Sequence, residues 1–366
     1  MKITSLKLVN FRNYDKVKLD FSNSLNIIYG NNGVGKTNLV EAIYSLSLTK
    51  SFRTNNDKNL IKNSELSTKI EGEISDYTTT NYQVVINKEG KKVKIDNSTI
   101  SKLSDYISNI NIILLEPEEQ TIFNASPATR RKLLNIEISQ LNKEYILYLN
   151  NYNKTLKQRN FYLRELFING NASKDYLNIL TKQLIEYGKK INELRKEFVD
   201  NINFYIKDKY QKVFGEGNLR IKYISDFNKK DVDNLFEVFV KNYNKEINLG
   251  KTFIGIHHDD IIFELDGHNI GEWGSNGQRK NAIFAFKLSE IEVFKQIKGS
   301  NPILILDDLF SALDNNKIKN IVELLKDDVQ TFITTTELER LDNNLLIDAK
   351  LFKVNYGSVE EEKNGR

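Results

Sequence analysis

A glycine-rich loop near the start of the chain constrains the fold more than any other feature. The loop is Gly30-Asn-Asn-Gly33-Val-Gly35-Lys36-Thr37, it follows the apolar segment Leu25–Tyr29, and helical spacing begins at about Lys36. Glycines let backbone N–H groups face a phosphate, and a helix N-terminus favours an anion. The segment is therefore predicted to bind a nucleoside triphosphate. The predicted nucleotide contacts are Gly30, Asn31, Asn32, Gly33, Val34, Gly35, Lys36, Thr37 and Asn38.

Two carboxylates far downstream complete a predicted catalytic site. Asp307 and Asp308 follow four apolar residues that are typical of a buried parallel strand. We expect Lys36 to reach the β- and γ-phosphates, and Thr37 and Asp307 to hold Mg²⁺. Asp308 is then placed to orient the attacking water. Many related ATPases have Glu at this position, so the shorter Asp308 predicts slow hydrolysis; a simple acidic strand end is the alternative.

A third motif, Ser275-Asn-Gly277-Gln278, lies about 30 residues before the Asp-Asp pair. Serine followed three residues later by glutamine is also the pattern of a helix capping box. Both interpretations use the free amides of a helix N-terminus, so they are compatible. The order of the motifs predicts that Ser275, Gly277 and Gln278 contact ATP held by a second copy. The string Ser311-Ala-Leu-Asp314 follows the Asp-Asp pair.

Composition excludes several classes of protein. The 366 residues include 53 basic and 49 acidic side chains, and the net charge of +4 does not by itself indicate nucleic-acid binding. There is no cysteine, which excludes disulfides and thiolate chemistry. No stretch approaches about 18 apolar residues, and the N-terminus does not resemble a secretory signal. A cytoplasmic protein without a membrane partner is expected.

Hydrophobic patterning predicts an α/β head split by a helical insertion. Strands are predicted within residues 2–115 and again from 260 onward, with long helices between them. The predicted helices cover Ala128–Leu163, Ser173–Phe214 and about 230–247, an arm of roughly 50–60 Å at most. The predicted domains are 1–117 and 251–366 for the head, and 118–250 for the helical lobe.

Short basic clusters are the candidate DNA contacts, because DNA-binding proteins follow phosphates with Lys and Arg. The candidates are Lys50, Arg53, Lys91, Lys92, Lys94, Arg130, Arg131, Lys157 and Arg159. A solvated surface is the alternative for each cluster. The run His257-His-Asp-Asp260 does not predict a metal site, because neighbouring residues of an extended strand point to opposite faces. A role near the Ser275 surface is expected for it.

The chain resembles the RecF family of bacterial recombination and replication-gap repair ATPases, which is related to Rad50 and SMC heads. The similarity runs nearly end to end. The stretches that carry it are Leu6-Lys-Leu-Val-Asn-Phe-Arg-Asn-Tyr14, Gly30–Leu48 with Asn38-Leu-Val-Glu-Ala-Ile-Tyr44, Ser51-Phe-Arg-Thr54, Glu116-Pro-Glu118, Pro127-Ala-Thr-Arg-Arg131, Leu156-Lys-Gln-Arg-Asn160, His257-His-Asp-Asp260, Ser275-Asn-Gly-Gln278, Leu306-Asp-Asp-Leu-Phe-Ser-Ala-Leu-Asp314 and Phe332-Ile-Thr-Thr-Thr336. Departures from the family pattern include His258 in place of Arg and Asn135 in place of Asp.

The resemblance implies a P-loop ABC-type, Rad50/SMC-like ATPase head with a mostly helical second lobe and no long coiled coil. It implies ATP and Mg²⁺ as cofactors and an ATP-dependent, head-to-tail homodimer. Ser275 and Asp314 are implied to lie at the seam of this dimer, and Thr335 is implied to lie near the γ-phosphate. The implied partners are double-stranded DNA, single/double-strand junctions and RecR, acting with RecO to help RecA onto single strands. Hydrolysis is implied to release DNA.

Three other classes share parts of this pattern. A transporter ATP-binding subunit usually carries a switch histidine, where this chain has Thr334-Thr-Thr336. A structural SMC or Rad50 protein needs hundreds of heptad residues between the loop and the Ser275 motif. A phage or defence ATPase with the same head is the third alternative, and a neighbouring nuclease or toxin gene would favour it.

Overall fold

The computed structural model describes residues 1–169, 173–228, 234–308, 317–318, 320–321, 329–341 and 346–362. The chain forms two compact units. The first comprises Met1–Gln120, Asp208–Glu216 and Lys280–Arg366, and the second comprises Thr121–Lys207 and Gly217–Arg279. Residues 251–279, which the sequence pattern placed in the head, therefore group with the helical segment.

The first unit contains a six-stranded sheet built from distant parts of the chain, in the order β15-β14-β3-β13-β12-β8. Every neighbouring pair is parallel except β14 with β15. The strands are β3 (Leu25–Tyr29), β8 (Ile112–Leu115), β12 (Ile303–Asp307), β13 (Thr331–Thr335), β14 (Ala349–Asn355) and β15 (Ser358–Glu362). Every residue of β8, β12 and β13 is buried, as in a parallel sheet that is covered on both faces. The carboxyl ends of β3, β12 and β13 meet at one edge.

A second six-stranded sheet of this unit is antiparallel, in the order β2-β1-β4-β5-β6-β7. Its strands are β1 (Lys2–Phe11), β2 (Tyr14–Asp20), β4 (Ser67–Ser75), β5 (Thr79–Asn87), β6 (Gly90–Ile95) and β7 (Ser98–Ile100). Its inner face packs against α1 (Lys36–Leu48). A Cβ at Gly72 would lie 2.5 Å from Leu46 Cδ2, so the absence of a side chain there permits the close approach. The short helix α2 (Ser104–Ile107) also belongs to this unit.

The second unit combines long helices with a three-stranded antiparallel sheet in the order β11-β10-β9. The strands are β9 (Leu219–Ile224), β10 (Asp260–Leu265) and β11 (His268–Asn269). The helices are α3 (Pro127–Leu141), α4 (Lys143–Ile168), α5 (Lys174–Phe214), α6 (Leu235–Leu249), α7 (Ile270–Trp273) and α8 (Asn276–Lys298). The end of α5 and most of α8 belong to the first unit.

One predicted helix is wrong in its extent. The single helix predicted over Ala128–Leu163 is two helices, α3 and α4, separated at Asn142. Asn142 is extended, and its side chain accepts hydrogen bonds from the N–H groups of Glu144 at 2.8 Å and Tyr145 at 3.4 Å. It therefore caps the second helix, and a cap interrupts helical spacing without a glycine or proline. Strand β9 (Leu219–Ile224) was not predicted.

Across the described residues, none of the helices combines the length and apolar character that a membrane span requires.

Candidate nucleotide site

The glycine-rich loop connects β3 to α1 in a conformation that only glycine accepts at two positions. Gly35 has φ 121°, and a Cβ there would lie 2.6 Å from Asn13 Nδ2 and 3.0 Å from Tyr14 Oη. Gly30 has φ 150°, and its Cβ would lie 2.5 Å from the Val354 carbonyl oxygen. Both the backbone angle and the crowding therefore require glycine at these positions.

The β1–β2 hairpin holds the loop from one side. Asn13 Nδ2 donates to the Val34 carbonyl at 3.0 Å, and the Tyr14 hydroxyl donates to the Gly35 carbonyl at 2.9 Å. Asn38 Nδ2 donates to Asn13 Oδ1 at 2.8 Å. Burial raises the pKa of Tyr14 far above its usual value, so the phenol stays protonated as a donor. The Asn13–Tyr14 pair thus fixes the loop, a role that sequence reasoning did not assign.

Lys36 lies over the loop and contacts its backbone. Its ammonium group donates to the carbonyl oxygens of Gly30 and Asn31, each at 2.9 Å, and the residue is buried. Burial lowers the pKa of Lys36, whereas the charges of Asp308 and Asp307 raise it. The loop therefore presents a positioned cation, which suits a phosphate.

The end of β12 brings Asp307 to the start of α1. Thr37 Oγ1 donates to Asp307 Oδ1 at 3.1 Å, and Thr334 Oγ1 donates to the same oxygen at 2.6 Å. The Thr334 hydroxyl also accepts from the N–H of Asp308 at 2.9 Å. Burial raises the pKa of Asp307. A hydroxyl and a carboxylate side by side are the oxygen ligands that Mg²⁺ accepts, so the residues fit the ion.

Asp308 has a backbone conformation that is uncommon for a residue with a side chain. Its φ is 49°, in the left-handed region. Non-glycine residues in this region cost free energy and cluster at functional sites. The strained position turns the chain sharply at the edge of the sheet, directly after the buried Asp307.

Thr335 ends β13 at the same edge and pairs with Tyr29 in the register with β3. Its hydroxyl accepts from the N–H of Glu337 at 3.1 Å, closing the turn that follows. Its assignment as a γ-phosphate sensor stays a prediction. The neighbouring Thr334, which sequence reasoning did not select, contacts both carboxylate residues. Asp314, the other predicted seam residue, lies outside the described residues.

The Ser275 motif lies in the second unit, at the start of α8. The Ser275 N–H donates to Gln278 Oε1 at 2.9 Å, and the Gln278 N–H donates to Ser275 Oγ at 3.2 Å. This reciprocal pair is a capping box. Ser275, Gly277 and Gln278 are nevertheless exposed, and Trp273 just before them is 78% exposed. The turn therefore presents a polar helix N-terminus and a large apolar side chain to its surroundings.

Three of the predicted DNA contacts are ion-paired within the fold. Arg159 is fully buried, and its Nη2 lies 2.6 Å from Glu246 Oε2. Arg130 Nε and Nη2 donate to the two carboxylate oxygens of Asp260 at 2.6 and 2.7 Å. Lys91 Nζ lies 2.6 Å from Asp57 Oδ2 and also donates to the Thr49 carbonyl. Each positive charge is compensated by a carboxylate, and the fully buried Arg159 is not presented to a phosphate.

The other basic candidates differ in how far they are exposed. Lys50, Arg53, Lys92 and Lys157 are exposed, whereas Lys94 and Arg131 are half-buried. Arg53 Nη1 donates to Asn38 Oδ1 at 2.9 Å and lies 3.9 Å from the buried Glu41, which also binds Arg12. Arg53 therefore lies beside the nucleotide loop. Arg131 Nη1 donates to the Asp259 carbonyl at 2.7 Å.

The residues of the His-His-Asp-Asp run have separate partners in the second unit. His257 Nδ1 lies 2.7 Å from the Tyr152 hydroxyl, and burial lowers the pKa of His257 to about 4. His258 Nε2 lies 3.3 Å from the Thr252 carbonyl oxygen. Arg195 Nη1 donates to Asp259 Oδ2 at 2.7 Å. The side chains of this run therefore make separate contacts that stabilise the second unit, and they do not converge on one ligand.

Asn135, the other departure from the family pattern, joins the Arg195 network through one atom. Its Oδ1 accepts from the Tyr145 hydroxyl at 2.6 Å and from Arg195 Nη2 at 3.0 Å. An amide oxygen supplies both bonds without adding a second buried negative charge beside Asp259. Asn135 therefore has a structural role in the second unit.

Comparison with known proteins agrees with this geometry. The model of the RecF/RecN/SMC N terminal domain family matches residues 2–356. The DNA replication and repair protein RecF of Oenococcus oeni is 38% identical over 98% of this chain and 99% of its own length. The protein of the same name from Enterococcus faecalis is 35% identical, again over 98% of this chain and 99% of its own length.

Solved structures give the same result. The recombination mediator protein RecF with ATP, in the RecFOR pathway, superimposes with a TM-score of 0.91 at 28% identity, over 99% of this chain and 98% of that one. An Smc head domain from Pyrococcus furiosus shares the fold, with a TM-score of 0.56 at 16% identity over 99% of this chain and 96% of that one. The predicted fold class, an ABC-type ATPase head with a mostly helical second lobe, is confirmed. The chain therefore belongs to the RecF family, within the wider RecF/RecN/SMC N terminal domain family.

Proposed function

We propose that this chain is an ATP-dependent DNA clamp in replication-gap and recombinational repair. The observation that carries the proposal is the meeting of Lys36, Thr37, Asp307 and Asp308 around one glycine-rich loop. Curated relatives over the full length are DNA replication and repair proteins, and a similar structure holds ATP. A P-loop with this set of side chains suits phosphoryl transfer.

Each residue of the site has a defined chemical task in the proposed reaction. The loop N–H groups and the Lys36 ammonium bind the phosphates, and Lys36 exchanges its loop carbonyls for phosphate oxygens. Mg²⁺, held by Thr37 and Asp307, would neutralise charge on the β- and γ-phosphate oxygens. Asp308 accepts a proton from the attacking water. Because Asp308 is one methylene shorter than the usual Glu, we expect slow turnover and a long-lived ATP state.

A second copy completes the site in this proposal. The exposed Ser275 turn supplies a helix N-terminus, whose free amides and partial positive charge suit the γ-phosphate of ATP bound to the other copy. ATP thereby joins two copies head to tail, with Ser275 and Asp314 at the seam and Thr335 near the γ-phosphate. Hydrolysis cleaves ATP to ADP and phosphate, which removes the γ-phosphate contact between the copies and opens the dimer.

The proposed partners follow from the family. The closed dimer holds double-stranded DNA at single/double-strand junctions, and it acts with RecR and RecO to help RecA onto single strands. A similar structure belongs to a protein of the RecFOR pathway, which supports RecR and RecO as partners. The proposed DNA contacts are Lys50, Arg53, Lys92, Lys94, Arg131 and Lys157. The proposal leaves out the ion-paired Lys91, Arg130 and Arg159.

Fluorescence anisotropy of a labelled duplex tests the link between ATP and DNA. We expect the parent chain to bind the duplex tightly with ATP and Mg²⁺ and weakly without nucleotide. Lys36→Ala should lose ATP binding and bind DNA weakly under both conditions. Equal duplex binding by the parent with and without ATP would contradict the proposed clamp.

A further inference from the structure

The strand register places six lysines on the outer face of the antiparallel sheet of the first unit. Two adjacent cross-strand rows carry them, running from β2 through β1, β4 and β5 to β6. One row is Lys16, Val9, Lys69, Val85 and Lys92. The next row is Lys18, Lys7, Glu71, Gln83 and Lys94. We call the lysines of these two rows the lysine strip: Lys7, Lys16, Lys18, Lys69, Lys92 and Lys94.

Buried and partly exposed residues alternate along these strands, so the outer face of the sheet is accessible to solvent. The residues between strip positions, such as Leu8, Ile70 and Val84, are fully buried on the inner face. On the outer face the side chains of Lys7 and Lys69 are 43% and 40% exposed. Side chains alternate between the two faces of a strand, so all members of the strip point away from the core.

Positive charge on these rows is far from balanced within the fold. Glu71 is the single carboxylate in either row; Lys7 Nζ lies 3.1 Å and Lys69 Nζ 2.6 Å from its oxygens. These two lysines lower the pKa of Glu71, although burial opposes them. The next row carries Asp20 and Glu73, which bound the strip on that side.

Lys7 and Lys18 lie directly opposite each other on neighbouring strands. Like charges in such pairs destabilise a sheet, so folding alone does not favour this arrangement. A polyanion that covers the pair would convert the repulsion into attraction. The pair therefore points to a ligand with closely spaced negative charges.

The length of the strip suits a rigid linear polyanion. Lys16 and Lys92 are separated by four strand spacings of about 4.8 Å, or about 19 Å. Duplex DNA presents one phosphate per strand every ~3.4 Å, so about six base pairs span the strip. Lysine contacts phosphates as a point charge and carries no base specificity.

We propose that the lysine strip binds the phosphate backbone of duplex DNA without sequence specificity. This inference rests on the proposed DNA clamp and names one of its contact surfaces. It adds Lys7, Lys16, Lys18 and Lys69, which lie far from Lys92 and Lys94 in sequence, to the contacts expected from basic clusters. The sheet alone brings the six side chains together.

The test compares two charge-reversed double variants with equal net charge. Lys16→Glu/Lys92→Glu changes both ends of one row, and Lys58→Glu/Lys102→Glu changes two exposed lysines of the same unit that lie off the sheet. Binding to a duplex of about 30 base pairs is measured with ATP between about 50 and 200 mM salt. A single strand of equal length serves as competitor, to separate duplex recognition from general phosphate binding.

We expect the strip variant to bind the duplex at least ~10-fold more weakly, with a salt slope reduced by about two. The control variant should stay within about twofold of the parent, since its charges lie off the lysine strip. Equal weakening of both variants, or an unchanged strip variant, would overturn the proposal. Competition by the single strand as strong as by the duplex would overturn the duplex assignment. If the parent itself does not bind DNA with ATP, the proposed clamp fails rather than the strip.

Discussion

The Thr334 hydroxyl lies 2.6 Å from Asp307 Oδ1 and orients the carboxylate that ends β12. The same hydroxyl accepts from the backbone N–H of Asp308 at 2.9 Å, so one side chain contacts both the Asp307 carboxylate and the Asp308 backbone. Residues that orient a metal ligand typically change metal affinity or activity about 10–100-fold when replaced. Thr334 is therefore a positioning residue for the site.

Thr334→Val keeps the shape of the side chain and removes both hydrogen bonds. We expect kcat for ATP hydrolysis to fall ~10-fold or more, while ATP affinity without Mg²⁺ changes little. Thr331→Val is the matched control, because it removes a buried hydroxyl from the same strand at the opposite end. Steady-state turnover that is equal in the two variants would refute the role of Thr334.

The ionised carboxylate of Asp307 is predicted to lower the free energy of unfolding at neutral pH. Burial raises the pKa of Asp307 above its usual 3.8, so the folded chain keeps this proton to a higher pH than the unfolded chain. Stability from this group is therefore lost as the pH rises through the raised pKa. Asp307→Asn should raise the Tm of the nucleotide-free protein near pH 7.

The gain from Asp307→Asn should shrink as the pH falls towards about 4, where the parent carboxylate also becomes neutral. Differential scanning fluorimetry across this range measures it. If the increase in Tm of Asp307→Asn over the parent grows as the pH falls, the pKa of Asp307 is not raised in the folded protein, and the prediction is wrong.

Because the Arg159–Glu246 pair is buried, we expect replacement of Arg159 to lower the stability of the fold and not to weaken DNA binding directly. Arg159 also donates to Thr181 Oγ1 at 3.0 Å and to Thr252 Oγ1 at 2.6 Å. Arg159→Ala leaves a buried unpaired carboxylate and should cost about 3–5 kcal/mol in urea unfolding. Lys157→Ala, on the exposed side of the same helix, should stay within about 0.5 kcal/mol. A fully stable Arg159→Ala variant with weakened DNA binding would restore Arg159 as a DNA contact.

Trp273 is the single tryptophan of the chain, and it precedes the Ser275 turn with 78% of its surface exposed. An exposed tryptophan beside a proposed interface should become covered when two copies close. We expect ATP with Mg²⁺ to shift its emission to shorter wavelength and to protect it from acrylamide quenching. Lys36→Ala should show neither change. If saturating ATP leaves the emission and the quenching of Trp273 unchanged, Trp273 does not lie at an interface that closes with ATP.

The sequence predicted the elements that carry the nucleotide motifs and missed those defined by contacts between distant segments. Lys36, Thr37 and Asp307 were predictable because each follows a local pattern of strand, loop and helix. Thr334 and the Asn13–Tyr14 pair were not assigned roles, because their partners lie 21 or more residues away. Pairing across such separations depends on sheet order, which local patterns do not specify.

The basic residues illustrate the same limit. Arg159 and Lys157 are two positions apart on α4, yet one is fully buried and the other exposed. Helical spacing separates their faces by about 200°, but it does not say which face is covered. Conversely, Lys7, Lys18 and Lys94 share one face only because of strand register. Charge counted along the sequence therefore selected some side chains that the fold uses internally.

The mass of the protein in solution with and without ATP tests the two-copy site most directly. Multi-angle light scattering should show the parent doubling in mass when ATP and Mg²⁺ are added. Ser275→Arg should bind ATP normally and keep the single-chain mass, because a bulky cation would block the γ-phosphate approach. Ser126→Arg, the same change at the entrance of α3, should double like the parent. A Ser275→Arg variant that doubles in mass as readily as the parent would contradict the shared nucleotide site.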